Sequence, residues 1–317
     1  MMSQKSFFTS FNHTMDSVVP FVTPFGVVLG FVFAHSISWM KPAVTWLFAF
    51  ITLVGAMGMD TKDFRRVLSH PKPIILSLCG SHVVIPILIW AVAYLLFPGK
   101  PEIVTGFVLL FSIPTAVVSY MWSSIFQGNG PLSLTLILID TVLAPILTPL
   151  TIKALAHSSV VIDTKGMMVS LLWMVVLPSV IGVGANTLTD GKLKSNVKPY
   201  LNPFTKFALL MVVALNVSQI AGSIHWNGTV MEVLATNIVL IAGGFVISRT
   251  LAKACGLGHA EQVSLTFSMS MRNISAALVL AIKFFPPDSS IPVLVGVVLQ
   301  QSIAALMGKM LFRTTKE

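Results

Sequence analysis

The chain has 317 residues, of which 55% are hydrophobic and 10% charged, with a formal net charge of +9; its mean hydropathy is +0.88. That balance excludes a water-soluble globular domain, and continuous apolar runs of about 17 to 25 residues exclude a transmembrane β-barrel, whose segments alternate over about ten. The chain reads as an all-α polytopic membrane protein.

Divided at charged, Pro-rich and Gly-rich stretches, the sequence predicts ten spans: 18–36, 43–59, 74–97, 103–126 and 131–155, then 167–189, 203–223, 230–255, 260–283 and 290–312. Pro20 and Pro24 interrupt the first. The 17 residues before it are polar and mixed, and no clear small-residue cleavage site follows, so this helix is expected to stay in the mature protein. Cys79 and Cys255, inside or at the end of apolar spans, are expected to be small buried thiols without a disulfide framework. The third span carries Ser81 and His82; the fourth is interrupted by Pro114, with Ser119 and Tyr120 after it; the fifth carries Ser133 and Asp140. The seventh carries Asn216, Ser218 and Gln219, the ninth Ser268, Ser270, Arg272, Asn273 and Ser275, and the tenth Gln300, Gln301 and Ser302.

Charge placement gives an orientation. With ten spans and the N-terminus inside, the cytoplasmic side holds Lys5, Lys62, Arg65, Arg66, Lys72, Lys192, Lys194, Lys198, Lys206, Arg249, Lys253, Lys309, Arg313 and Lys316; the other side holds Lys41, Lys100, Lys153, Lys165 and Lys283, a split of 14 to 5. Both termini are therefore predicted to be cytoplasmic, with the chain in the cell (inner) membrane. The basic excess is a topology signal. Scattered over short loops, it does not suit nucleic acid.

Ten spans divide at the polar stretch 157–165 into two sets of five, residues 1–157 and 158–317. An odd number of crossings per half inverts the second half relative to the first, the plan of many secondary transporters. The fourth span of each half carries the anomalies, Pro114 in one and Arg272–Asn273 in the other, and broken helices in matching positions point to a midplane site. The plainer reading is a Pro kink with ordinary Ser and Thr back-bonding.

Arg272 is the most informative residue. Its span, about 263–282, is otherwise apolar, so the guanidinium is placed near mid-depth, where an unpartnered charge costs at least ~2.5–3.5 kcal/mol. Asp140 is the opposite charge available to it; the alternative is that the carboxylate faces a water-filled gap or a loop. His82 either carries a coupling proton near neutral pH or is a satisfied core residue. Gln300, Gln301, Ser302, Asn216, Ser218 and Gln219 read equally as cavity-lining groups or as interhelical hydrogen-bonding ones. The chain has no G-x-x-x-x-G-K-[ST], H-E-x-x-H, C-x-x-C or G-x-G-x-x-G motif, and no Ser-His-Asp or di-His set at helical spacing. A nucleotide-driven pump and an enzyme are thereby disfavoured, leaving carriers and channels.

Gly58-Met59-Asp60 with Asp63-Phe64-Arg65-Arg66-Val67-Leu68 and His70-Pro71-Lys72; Pro114, Ser119, Gly128-Asn129, Leu132-Ser133, Pro145 and Pro149; and Met271-x-Asn273 stand in this order along the chain. Together they resemble stretches of the bile acid:sodium symporter (BASS) family. The likeness covers about residues 20 to 312. It implies a ten-helix fold with panel and core domains, and broken helices four and nine crossing beside two sodium sites and a cavity for an amphipathic organic anion. Carried over by position, the family's Pro-Gly-Gly is Pro114-Thr115-Ala116 and its Ser-Asn pair is Ser119-Tyr120. Ser133 matches a ligand on the fifth helix, but the following Thr is Ile137. The pattern Glu-x-x-x-Gln-Asn reads Ser268-x-x-x-Arg272-Asn273, and a third-helix Gln falls at Ser81.

These departures argue against sodium. A sodium site needs several hard oxygen ligands, usually with a carboxylate; Ser268 removes the carboxylate, Ile137 an oxygen, and Arg272 adds a fixed cation. The guanidinium then stands in for the sodium charge or contacts an anion directly. Ser133, Ile137 and Asp140, at i, i+4 and i+7, share the helix face that carries ligands in the family. The expected function is secondary transport of an organic anion with weak or absent sodium coupling, the alternatives being a sodium-coupled symporter, an arsenite exporter (disfavoured because the fourth span lacks Cys), or a channel or substrate sensor. Substrate contacts are expected from Arg272, Asn273, Gln301, Ser302, Pro114, Ser119 and Tyr120, and ion-coupling roles from Ser81, His82, Ser119, Ser133, Asp140, Ser268 and Arg272. No cofactor is expected; the coupling ion is sodium or a proton, and the partners are the anion and the bilayer. The sequence assigns no oligomeric state.

Overall fold

The computed structural model of the chain describes residues 22, 24–58, 71–156, 163–222 and 228–312. Lys5, Pro20, Lys62, Arg65, Arg66, Arg313, Lys316, most of the motif around 58–72 and much of the join at 157–165 lie outside them. Helix α1 spans Ala43–Ala56, α2 Pro71–Leu96, α3 Pro101–Ser112, α4 Val118–Ile125, α5 Gly130–Leu155, α6 Thr164–Leu188, α7 Leu193–Gln219, α8 Gly228–Ala254, α9 His259–Ser270, α10 Ile274–Phe284 and α11 Pro287–Leu311. Among the described residues α2, α5, α6, α7, α8 and α11 are long and apolar enough to cross a membrane; Ala34–Met40 and α1 add a seventh span if that pair, bent by 72°, is counted as one. The predicted fourth and ninth spans are each two shorter helices, α3 with α4 and α9 with α10.

Contacts divide the chain into two compact units, each drawing on both halves of the sequence: residues up to Thr61 with Leu171–Gly222, and Lys62–Ser170 with Ser223–Glu317. In the first, the helical stretch 24–32 meets α7 at two glycines four residues apart. A Cβ on Gly30 would stand 2.6 Å from the Ala214 carbonyl oxygen and 2.5 Å from Val217 Cβ, so small residues here let backbones touch, as membrane helix pairs require. Gly182 of α6 does the same for α1, where a Cβ would lie 2.5 Å from the Leu53 carbonyl oxygen.

In the second unit, α2 contains a π turn at Gly80–Val84, the one-turn widening often found at functional sites. Pro114 lacks an N–H and forces the residue before it out of the helical region: Ile113 is extended, at φ −67° and ψ 153°, and α3 ends there. Residues 271–273 interrupt the other pair, and the Asn273 side-chain oxygen caps α10 by accepting from the Ala276 N–H at 3.3 Å. The interruptions pair antiparallel. Ala116 N–H donates to the Met271 carbonyl and Asn273 N–H to the Pro114 carbonyl, both at 2.9 Å, with Thr115 opposite Arg272. Backbone freed from two helices is thus satisfied by the other break.

The thiols correct an expectation. Cys79 is exposed and Cys255 half-buried, both free. Apolar composition cannot tell a core face from a lipid face, since hydrocarbon welcomes a thiol on either.

Candidate functional site

All the charged sequence candidates meet where the two breaks pair. Arg272 is 1% exposed. Its Nη2 donates to the Ser81 carbonyl at 3.0 Å; Nη1 donates to the Ile113 carbonyl at 3.4 Å and reaches Asp140 Oδ2 at 3.5 Å. Nε has no partner among the described residues. Two main-chain carbonyls and a carboxylate are the hard oxygen ligands an alkali cation would take. Here a guanidinium tethered to the chain is seated among them.

Asp140 is 3% exposed. Its contact with Arg272, anticipated from the charges alone, is the longest of its polar contacts. Oδ1 lies 2.5 Å from His82 Nε2, while Oδ2 accepts the Thr115 backbone N–H at 2.7 Å and has the Thr115 hydroxyl at 2.7 Å. That hydroxyl is also 2.8 Å from the Ser268 carbonyl, and its single proton serves one of these oxygens at a time. The carboxylate is therefore held chiefly by neutral donors and a histidine, with Arg272 supplying charge balance behind them. Desolvating it is offset by four polar neighbours rather than one.

His82 lies within the π turn of α2 and is directed at Asp140. It is 6% exposed, and its Nδ1 is buried with no hydrogen-bond partner among the described residues. The same turn is anchored by Thr151 Oγ1, which donates to the His82 carbonyl at 3.2 Å. On the opposite side, Gln300 of α11 clasps the break. Its Oε1 accepts the Arg272 N–H and its Nε2 donates to the Arg272 carbonyl, each at 2.9 Å.

A second polar group is built from hydroxyls. Ser123 Oγ lies 2.9 Å from Ser133 Oγ and 3.2 Å from Ser264 Oγ, and Ser264 donates to the Asn129 carbonyl at 3.0 Å. Ser119 Oγ, Ser268 Oγ and Ser81 Oγ are buried with no partner among the described residues. Ser133, Ile137 and Asp140 are all buried, in keeping with their shared face. No group of three His, Cys, Asp or Glu side chains able to hold a metal occurs among the described residues.

Other candidates stand apart from the ionic cluster. Gln301 accepts from Trp122 Nε1 at 2.9 Å, Tyr120 and Ser302 are exposed, and Asn273 spends its side-chain oxygen on capping α10. In the first unit, Ser218 and Gln219 both donate to the Leu215 carbonyl, and Asn216 Nδ2 has no partner among the described residues. Sequence reasoning missed the part played by Thr115, which it marked only as the residue after Pro114 standing where the family has Gly, and gave Gln300 no role at the crossing.

The model of the sodium bile acid symporter family matches residues 47–227. The chain is 38% identical to the uncharacterized protein YbaS of Bacillus subtilis (strain 168) over 296 residues, 93% of this chain and 97% of that one. It is 26% identical to the probable sodium/metabolite cotransporter BASS1, chloroplastic, of Arabidopsis thaliana over 295 residues, 92% of this chain and 73% of the relative. To the uncharacterized sodium-dependent transporter YocS of Bacillus subtilis (strain 168) it is 23% identical over 268 residues, 84% of this chain and 81% of the relative.

Proposed function

This chain belongs to the sodium bile acid symporter family, a family of membrane transporters and not of enzymes, and from that premise we propose that it carries an organic anion by alternating access with weak or absent sodium coupling. The substrate class is a bile-acid-like anion or a small carboxylate. Asn273, Gln301, Ser302, Tyr120, Ser119, the Pro114 break and the Arg272 Nε, which has no partner among the described residues, are the groups we assign to it. One observation carries the sodium argument: the Arg272 guanidinium sits among the Ser81 and Ile113 carbonyls and Asp140, so a mobile cation there would meet a fixed positive charge in a medium of low dielectric.

Uptake of taurocholate or pyruvate into proteoliposomes should change less than about twofold when sodium is replaced by potassium or choline, well below the ~1.4 kcal/mol of a tenfold linkage. A steep, saturable sodium dependence would instead favour symport. That second reading has its own support, because the hydroxyls of Ser119 and Ser268, without partners among the described residues, and the names of two relatives point toward sodium.

The architecture we infer has ten spans, in two inverted repeats of residues 1–157 and 158–317, with panel and core domains and both termini in the cytoplasm of a cell whose inner membrane holds the chain. The breaks fall in the fourth element of each half, which supports the repeat. Polar contacts between loop ends support the grouping of the loops by side, since each joins positions that the charge rule places together. Lys72 Nζ donates to the Cys255 carbonyl at 2.5 Å, Lys100 to Thr229 Oγ1 at 2.8 Å and Lys283 to Ser170 Oγ at 2.9 Å. Single cysteines at Lys194 and Lys100 should label from opposite faces of the membrane; labelling of both from outside would overturn the ten-span arrangement.

A further inference from the structure

We propose that Pro86 is the positioning residue for Arg272: by withholding a main-chain N–H from α2 it frees the Ser81 carbonyl to hold the guanidinium, and so sets the affinity of the crossing for an organic anion. This rests on the organic-anion reading above and adds a residue outside the crossing on which that binding depends.

The three π turns among the described residues, Gly80–Val84 in α2, Leu172–Val176 in α6 and Leu193–Val197 in α7, each end two residues before a proline: Pro86, Pro178 and Pro199. In each, the residue just before the proline donates its N–H to the carbonyl five residues back, Ile85 to Gly80, Leu177 to Leu172 and Lys198 to Leu193. A proline inside a helix has no N–H, and its ring collides with the carbonyl four residues earlier; widening the turn moves that carbonyl aside. Pro145, Pro149 and Pro203 stand in α-helix without such a turn, so the widening belongs to particular prolines.

In α2 the consequence falls on the crossing. The Ser81 carbonyl loses its α-helical donor, because the Ile85 N–H goes to Gly80, and it gains none from the next residue, because Pro86 has no N–H to give. The His82 carbonyl, four residues before Pro86, loses its helical donor outright. Both oxygens accept from outside the helix: Arg272 Nη2 donates to the Ser81 carbonyl at 3.0 Å and Thr151 Oγ1 to the His82 carbonyl at 3.2 Å. The bond to Ser81 is the shortest that the guanidinium makes, its contacts with the Ile113 carbonyl and Asp140 being 3.4 and 3.5 Å. A guanidinium is planar, so anchoring Nη1 and Nη2 fixes where Nε points. Nε, buried with no partner among the described residues, is the donor assigned to the anion.

An N–H restored at position 86 undoes this in either register. In a π turn it reaches the Ser81 carbonyl, five residues back; in an α-helix it takes the His82 carbonyl and returns the Ile85 N–H to Ser81. A carbonyl bonded along its own helix points at that donor rather than out toward a neighbour, and Arg272 loses its closest acceptor in both cases. Less firmly preorganised, the guanidinium binds the anion less tightly.

Two replacements of Pro86 separate the missing N–H from the ring. Pro86→Ala supplies the N–H; lactic acid incorporated at position 86 carries the same methyl side chain but an ester oxygen where the N–H would be. Calorimetry on the purified proteins in lipid nanodiscs, with taurocholate and pyruvate as probes, should show affinity at least about fivefold weaker in Pro86→Ala and within about twofold of wild type in the ester variant. A general loss of packing would affect both alike. Equal affinity in the two variants overturns the proposal, whether both match wild type or both fall. So does an ester variant that binds weakly or does not fold, because the N–H is then absent and the site is still lost. If Pro86→Ala does not fold, the ester variant decides alone, and wild-type affinity in it sustains the proposal. Absence of wild-type binding by both probes and by a panel of carboxylates and sulfonates overturns the anion reading, and the part of Pro86 in it.

Discussion

Asp140→Ala should lower the melting temperature of the purified protein more than any other single substitution in the ionic cluster. Removing this carboxylate strands a guanidinium that is 1% exposed and takes the acceptor away from His82 and Thr115 together, a loss in the range of ~3–5 kcal/mol for a broken buried pair. Arg272→Ala should cost less, because Asp140 keeps His82 Nε2 and both Thr115 donors. The double substitution should be no worse than Asp140→Ala alone, since with the carboxylate gone the arginine is a liability. Fluorescence-monitored unfolding of the four proteins in one detergent measures the cycle; losses that simply add would mean the two residues act independently.

Gly106→Ala should destabilise by ~1–3 kcal/mol, the usual cost of overpacking, although alanine is the better helix former. A Cβ at Gly106 of α3 would fall onto the Ser289 carbonyl oxygen, with Pro292 Cδ 3.1 Å away. Both neighbours are stiff, a backbone oxygen and a proline ring at the start of α11, so neither can swing aside as a side-chain tip would. Gly243→Ala on α8 is the control. A Cβ there meets nothing within 4 Å, so the substitution should be neutral or stabilising by up to ~1 kcal/mol. Equal melting temperatures for the Gly106 and Gly243 variants would remove the close α3–α11 contact from the fold.

Helix positions were legible because a bilayer demands long apolar runs: α5, expected at 131–155, spans Gly130–Leu155, and α8, expected at 230–255, spans Gly228–Ala254. The start of α7 was misjudged. It begins at Leu193 rather than near 203, because Lys194 and Lys198 read as loop residues, although a helix continues through an interfacial region where charges are solvated. Pro114 and Arg272 marked the two interruptions from composition alone. What the sequence did not reveal was how they are joined, since backbone pairing between segments more than 150 residues apart leaves no periodic trace. The same applies to Asp140. Opposite charge suggested Arg272, but two of its shortest contacts come from Thr115, one of them through a main-chain N–H that no residue type announces.

Gln300 completes what the two breaks begin. Its amide gives Arg272 both an acceptor and a donor at 2.9 Å, so a side chain imitates the peptide group of a third strand beside the pair formed by residues 114–116 and 271–273. The crossing is therefore stitched along both edges of residue 272, to the first break on one side and to α11 on the other. A conformational change that slid α11 along the crossing would have to open two buried hydrogen bonds at once. One that carries both as a single rigid passenger would break neither.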